Sequence, residues 1–311
     1  LFVGGRVVPG SYPLPADSFL LENITNGNGI KFKNADESIF SFKDIGLVTS
    51  SVWTDYNNDG WTDLIVVGEW TPIKFYKNID GKFSEDTSLI DVDSTRGWWY
   101  DVVAEDFDKD GDMDLVIGNL GNNYKYQTSG DETFDIFYND FDQNNTGDIV
   151  LSYYNDGEQY PLRGRQCSSE QIPAIKMKFQ DYDAFSIATL EDVYTEPALE
   201  NSLHYFSKTF SSVYLENTGN SFNMSKLPPL TQLSSINKIL KKDIDKDGYI
   251  DIVVSGNMYN SEVETPRNDA SVGVYLKFTP DFGFEAVPTQ KSGLFINGDV
   301  KDMEFLSLIH I

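Results

Sequence analysis

Short apolar runs, each bounded by Asp, Asn and Gly, recur along the chain. Leu64-Ile65-Val66-Val67-Gly68, Leu115-Val116-Ile117-Gly118 and Ile252-Val253-Val254-Ser255-Gly256 each follow directly on an acidic stretch. Further apolar runs at 48–53, 100–104 and 236–240 precede the same stretches. Runs this short, rich in β-branched residues and closed by turn formers, predict strands rather than helices. A second signature lies between them: an apolar strand, often ending in Asn, then a Gly turn and a Phe. It occurs as Phe75-Tyr76-Lys77-Asn78 before Gly81 and Phe83, and as Tyr214-Leu215-Glu216-Asn217 before Gly219 and Phe222. Looser copies are Leu20-Leu21-Glu22-Asn23 before Phe32 and Tyr275-Leu276-Lys277-Phe278 before Phe284.

One repeat is therefore strand, acidic loop, strand, connection, strand, Gly turn, strand. Four antiparallel strands per repeat describe a β-propeller blade, so the expected fold class is all-β. The first two acidic loops lie 51 residues apart, near the roughly 40–50 residues of a blade. One stretch departs from the pattern. Over 168–205, Ile172, Ile175, Phe179, Tyr182, Phe185, Ala188 and Val193 fall at mixed three- and four-residue spacing. That spacing predicts one or two amphipathic helices, inserted between strands of a blade rather than forming a separate domain. Arg163, Arg165, Lys176 and Lys178 in and before it are expected on a solvated face. The domain expectation is a partial propeller over residues 1–305. Because the Leu1-Phe2-Val3-Gly4-Gly5 string is of the kind that elsewhere follows an acidic loop, Leu1 is expected to sit in mid-repeat, its own acidic loop upstream. Leu306-Ser307-Leu308-Ile309-His310-Ile311 is what a sequencing adapter encodes when translated, so residues 306–311 are expected to be a non-native tail.

Composition narrows the function classes. Among 311 residues, Lys and Arg number 24 against 49 Asp and Glu, a formal charge of −25. Such a chain repels phosphate, which argues against nucleic acid as a partner. Hydrophobic residues at 40% and aromatics at 14% suffice for a large core, so disorder is not expected. Cys167 is the single cysteine, which excludes a disulfide scaffold and, with so few His, a zinc site. No apolar run approaches the ~18 residues of a membrane span, so no direct membrane insertion is expected.

Four acidic loops carry the candidate chemistry. They place side-chain oxygens at positions 1, 3, 5 and 9 and a backbone carbonyl at position 7. The first has Asp55, Asn57, Asp59, Trp61 and Asp63; the second Asp106, Asp108, Asp110, Asp112 and Asp114. The third, less regular, has Asp140, Asp142, Asn144, Thr146 and Asp148; the fourth Asp243, Asp245, Asp247, Tyr249 and Asp251. Alternate oxygens, a Gly at position 6 and a backbone carbonyl at position 7 are the ligand spacing of Ca²⁺, a hard cation that takes six to eight oxygens. Ordinary Asp/Asn/Gly hairpin turns are the competing explanation, but the loops recur in one strand context. An EF-hand would need Glu at position 12, where Val66, Ile117, Leu151 and Val254 stand inside apolar runs. Position 9 closes the site instead. The loops hold fifteen Asp against two Lys, a density that repels itself without a cation. The third loop departs from the pattern, with Asn145 at position 6 where the other three have Gly. Extracellular calcium modules bind at about 10⁻⁴–10⁻³ M, so millimolar calcium would add roughly 0.6–2 kcal/mol per loop. Sites this weak fill outside a cell, which predicts an extracellular, periplasmic or outer-membrane-surface location.

Taken as a set, these loops and the Asp63-Leu64-Ile65-Val66-Val67-Gly68 strand resemble FG-GAP/VCBS repeats, the integrin α-chain type of calcium-binding β-propeller. More narrowly, the chain is similar to VCBS-repeat proteins of Bacteroidetes that carry an ASPIC/UnbV segment. The stretches concerned are Leu1-Phe2-Val3-Gly4-Gly5-Arg6-Val7-Val8-Pro9-Gly10 with Tyr12-Pro13, Val66-Val67-Gly68-Glu69-Trp70-Thr71-Pro72, Gly118-Asn119-Leu120-Gly121-Asn122-Asn123, Asp140-Phe141-Asp142 with Leu151-Ser152-Tyr153-Tyr154, and Leu227-Pro228. The resemblance implies an exported protein, calcium in the loops, and a ring of about seven blades of which this chain holds part.

The leading functional expectation is a non-catalytic, calcium-binding interaction module of adhesion type, presenting loops on a rigid scaffold to a protein or glycan. Trp70, Trp98, Trp99, Tyr100 and the segment Asn122-Asn123-Tyr124-Lys125-Tyr126 are candidate contacts, with packing between blades as the alternative role. A lectin would need aromatic positions that repeat in phase, whereas Asp112 stands where Trp61 does. An enzyme is the weakest reading. His204 is a poor supply of base for a Ser nucleophile, Cys167 is expected to be a small buried hydrophobe, and the patterned carboxylates are accounted for by calcium.

Overall fold

In the computed structural model, which describes residues 1–27, 29–36, 40–261 and 265–306, every one of these apolar runs is a strand. The expected tail falls almost wholly on residues 307–311, outside the described residues.

β1 (Phe2–Val3), β2 (Phe19–Asn23) and β3 (Phe32–Asn34) form a three-stranded antiparallel sheet. β4 (Leu47–Thr54), β5 (Asp63–Thr71), β6 (Lys74–Ile79) and β7 (Lys82–Asp86) follow as an antiparallel meander, with β8 (Gly97–Trp98) added beside the far end of β5. β9 (Asp101–Glu105) and β10 (Asp114–Gly118) then open a third sheet as a hairpin. The chain leaves that sheet half-built. β11 (Phe134–Asn139), β12 (Asp148–Asn155), β13 (Glu158–Pro161) and β14 (Leu203–Ser207) make a sheet of their own in the order β13-β12-β11-β14. Only afterwards do β15 (Val213–Asn217) and β16 (Phe222–Lys226) complete the sheet begun by β9 and β10. β17 (Ile236–Lys242), β18 (Asp251–Gly256), β19 (Val274–Thr279) and β20 (Gly283–Val287) form the last meander.

The chain divides into two compact units: residues 1–8, 14–125 and 210–311, and residues 9–13 and 126–209. In the first, the second strand of each meander is buried along its whole length: nine residues of β5, five of β10 and six of β18. Apolar side chains on both faces explain why these strands read as continuous hydrophobic runs without alternation. Ile65, Val67, Phe75, Trp99, Leu115, Ile117 and Leu215 share one core cluster; Phe107, Val116, Ile239, Ile252, Val254 and Phe278 share another. Each such side chain contributes about 1.5–3 kcal/mol by leaving water. The first strands are tied together at one residue. Buried Asp101 on β9 accepts from Ser50 Oγ on β4 at 2.9 Å and from the Ile239 N–H on β17 at 2.9 Å.

In the second unit the helical expectation needs correction. Instead of one or two helices there are five short ones: α1 (Arg165–Gln171), α2 (Ala174–Lys178), α3 (Tyr182–Ser186), α4 (Leu190–Tyr194) and α5 (Glu196–Glu200). Pro173 and Pro197 cannot continue a helix, and Asp181 and Thr189 start new ones as N-caps, the latter with a full capping box to Asp192. Ile172, Ile175, Phe185, Ala188 and Val193 are buried together as their spacing predicts. Arg165 is not on a solvated face. It is buried, and its Nε and Nη2 donate to the Phe179 and Gln180 carbonyls at 2.6 and 3.1 Å. Its charge-assisted bonds satisfy carbonyls between helices that are too short to do so themselves.

Candidate metal centres

Each acidic loop joins the first and second strands of a hairpin: β4–β5, β9–β10, β11–β12 and β17–β18. All four follow one hydrogen-bond plan. The position-6 N–H donates to the position-1 carboxylate: Gly60 to Asp55 (2.9 Å), Gly111 to Asp106 (3.2 Å), Asn145 to Asp140 (2.8 Å) and Gly248 to Asp243 (3.1 Å). The position-5 N–H donates to position 3: Asp59 to Asn57, Asp110 to Asp108, Asn144 to Asp142 and Asp247 to Asp245, at 3.0–3.2 Å. The position-7 N–H donates to position 5: Trp61 to Asp59, Asp112 to Asp110, Thr146 to Asn144 and Tyr249 to Asp247, at 2.7–3.0 Å. Position 4 is left-handed in every copy, at Asn58, Lys109, Gln143 and Lys246, with φ between 55° and 65°. Position 6 is left-handed too, and Asn145 holds it at φ 66° where the other loops use Gly. Asn tolerates this region better than other side-chain residues, so the third loop keeps the plan.

Position 9 is a buried clamp. Asp63, Asp114, Asp148 and Asp251 are at most 4% exposed, each at the start of a second strand. Asp63 accepts the Asn78 N–H at 2.7 Å, Asp114 the Asn217 N–H at 2.8 Å, and Asp251 the Phe278 N–H at 3.1 Å, so each loop is pinned to the third strand of its sheet. Asp148 is held instead by Gln171 Nε2 at 3.2 Å. The opposite oxygen of Asp114, Asp148 and Asp251 takes the position-2 N–H of Phe107, Phe141 and Ile244 at 3.1–3.2 Å. Burial, outweighing these donors, raises the Asp63 and Asp114 carboxyls to about 6 and raises that of Asp148 as well.

The carboxylates converge. Oxygens of Asp106, Asp108 and Asp110, of Asp140, Asp142 and Asp148, and of Asp243, Asp245 and Asp251 each lie within 4.8 Å of one another. The first loop is not among these clusters, because Asn57 replaces a carboxylate at position 3; its Nδ2 donates to Asp63 Oδ2 at 2.9 Å. Two further oxygens test whether a cation fits. Asp106 Oδ1 and Asp243 Oδ1 are buried and accept no hydrogen bond. A buried acceptor without a donor costs about 1–3 kcal/mol, more when charged. A cation at the cluster would satisfy both, and an all-oxygen donor set suits Ca²⁺.

Partners that the sequence did not reveal lie on the third strands. Tyr214 Oη donates to Asp114 Oδ2 at 2.8 Å and Tyr275 Oη to Asp251 Oδ2 at 2.9 Å; the recurring Tyr-Leu pair was their signal. Lys77 and Lys277 reach loop carboxylates from the same strands. The loops of the first unit also touch one another: Asn58 Nδ2 donates to Asp112 Oδ1 at 2.6 Å, and Lys109 Nζ lies 4.3 Å from the Tyr249 ring centroid.

Among the expected contact aromatics, Trp70 and Trp99 are fully buried and serve packing; Trp98 sits edge-on to Trp70 at 4.7 Å. Trp53 and Trp61, outside that expected set, are exposed at 38% and 41%. Cys167 is partly exposed rather than buried. His204 Nε2 lies 2.7 Å from buried Asp135 Oδ1, with the ring stacked on Phe137 at 4.1 Å. No described helix is long and apolar enough to cross a membrane.

These observations define a β-rich repeat protein of four-stranded antiparallel sheets with acidic hairpin loops. The profile of the FG-GAP-like repeat family matches residues 55–117, from the first acidic loop through the second and into β10. Comparison with curated proteins returns no match.

Proposed function

We propose that the chain is a calcium-stiffened β-propeller segment acting outside the cell as a non-catalytic interaction module of the integrin α type. The ions stiffen the four acidic hairpins, and the loops are presented to a protein or glycan partner. The orphaned, buried oxygens of Asp106 and Asp243 inside carboxylate clusters carry this reading, because hairpin turns alone would leave no acceptor starved. The side-by-side first strands β4, β9 and β17, tied at Asp101, favour blades set around an axis. The match of residues 55–117 to an FG-GAP-like repeat supports the same family assignment. When bound, calcium would supply positive charge that the loops lack; Asp106, Asp108, Asp110 and Asp114 would hold it in loop two, and Asp243, Asp245, Asp247 and Asp251 in loop four.

Thermal unfolding in excess EDTA and in millimolar CaCl₂ tests the proposal. Calcium raises the midpoint by many degrees, and magnesium, which demands tight octahedral geometry, does not reproduce the rise. Equal midpoints in EDTA and calcium would make the loops ordinary turns and remove the extracellular argument with them.

A further inference from the structure

Loops one, two and four meet their third strands at a single shared register. The residue after position 9 lies opposite a third-strand partner: Leu64 faces Tyr76, Leu115 faces Leu215, and Ile252 faces Leu276. One residue further along the third strand come Lys77, Glu216 and Lys277, immediately before the Asn78, Asn217 and Phe278 N–H groups that clamp position 9. Their charges meet the loops in opposite ways. Lys77 Nζ is 3.3 Å from Asp59 Oδ2. Lys277 Nζ is 2.8 Å from Asp247 Oδ2 and also contacts Asp245 Oδ2, spanning positions 3 and 5 of loop four. Glu216 shares a cleft with Asp108, position 3 of loop two. Among the described residues no Lys or Arg pairs with Asp106, Asp108 or Asp110.

We propose that this third-strand position sets the calcium affinity of each loop. Lys77 and Lys277 are tethered cations that calcium must displace from loops one and four, and Glu216 makes loop two the tightest of the three. The inference rests on the calcium reading above. Calcium affinity rises with the charge of the ligand set, and the loops differ widely in it. Loop two has five Asp with Glu216 beside it and only Lys109 against them; loop one has three Asp facing Lys77. Loop four has four Asp, but Lys246 and Lys277 offset two of them. An ammonium is a compact point charge on a flexible stem, so it can occupy carboxylates when calcium is absent and swing to water when calcium arrives. The same lysines help hold loops one and four in shape without metal, whereas among the described residues Asp106, Asp108 and Asp110 of loop two have backbone N–H donors but no Lys or Arg partner.

The test is a calorimetric titration of the metal-stripped full chain with CaCl₂, alongside thermal unfolding of the metal-free form. Wild type, Lys277→Gln, Lys277→Arg and Glu216→Gln are compared. Lys277→Gln tightens one weak binding step about tenfold and lowers the metal-free midpoint, two effects of opposite sign that a merely structural salt bridge would not produce together. Lys277→Arg, which keeps the charge, tracks wild type in the metal-free midpoint. Glu216→Gln weakens the tightest step about tenfold, so the assignment is tested on a second loop even if Lys277→Gln folds poorly. Calcium binding by wild type with all stepwise constants unchanged in Lys277→Gln and Glu216→Gln would overturn this inference alone. No calcium binding by wild type would overturn the calcium reading itself.

Discussion

At the residue level, the position-9 aspartates have the most unusual environment. Asp63 and Asp114 are fully buried, and burial lifts their carboxyls from 3.8 to about 6. A carboxyl whose folded pKa exceeds its unfolded value binds protons more tightly when folded. Its contribution is fully present below pH 3.8 and is lost as the pH rises through about 6. Metal-stripped protein is therefore expected to gain stability between pH 7 and pH 4, the reverse of the usual acid destabilisation by paired carboxylates. In calcium the trend inverts, because protons then compete with the ion. Urea midpoints across that range check both signs, and Asp114→Asn flattens the metal-free slope whatever it does to absolute stability. A metal-free protein that loses stability steadily from pH 7 to pH 4 would show these carboxyls to be ordinary.

At the level of the element, the four loops share one backbone. Position 6 is left-handed in all of them, and Asn145 meets that demand at φ 66°. Asn145→Val should cost about 1–3 kcal/mol, because a β-branched residue is strained there, while Asn145→Gly should stay within about 1 kcal/mol. Urea unfolding with unchanged slope would measure both, and a harmless Asn145→Val would mean that the third loop does not hold the shared turn. The strands and loops could be read from the chain because each is local: an apolar run, an acidic turn, a Gly turn. Two features could not. β15 pairs with β10 across the whole of residues 119–212, Leu215 opposite Leu115, and nothing local marks so distant a partner. The helices broke where Pro173, Asp181, Thr189 and Pro197 stop or restart the backbone, punctuation that an apolar spacing of three and four overlooks. Within the site, positions 1 to 9 follow from spacing, whereas Tyr214, Tyr275, Lys77 and Lys277 arrive by strand pairing and carry only the weak signal of a repeated register.

At the level of the whole molecule, the question is what joins separate sheets into one first unit. Hydrophobic clusters span neighbouring sheets, with Phe75 of β6 stacked on Phe222 of β16 at 5.0 Å and Phe107 beside Phe278 of β19 at 6.1 Å. Such contacts are non-directional, so they fix separation better than angle. Asp101 adds direction, since its two oxygens take Ser50 Oγ from β4 and the Ile239 N–H from β17, and burial raises its pKa despite both donors and nearby Lys238. Asp101→Ala would leave the Ile239 N–H and the Ser50 hydroxyl without their acceptor on β9. Unpaired buried donors cost about 1–3 kcal/mol each, so a loss of roughly 2–4 kcal/mol is expected in urea unfolding. Asp101→Asn retains one acceptor and should lose less. The calcium response should survive both substitutions, because the acidic loops lie at the opposite ends of β4, β9 and β17 from the start of β9 that Asp101 occupies. A loss of the calcium-dependent midpoint shift in Asp101→Ala, with the fold retained, would instead mean that the loops are set by the arrangement of first strands and not by their own hairpins.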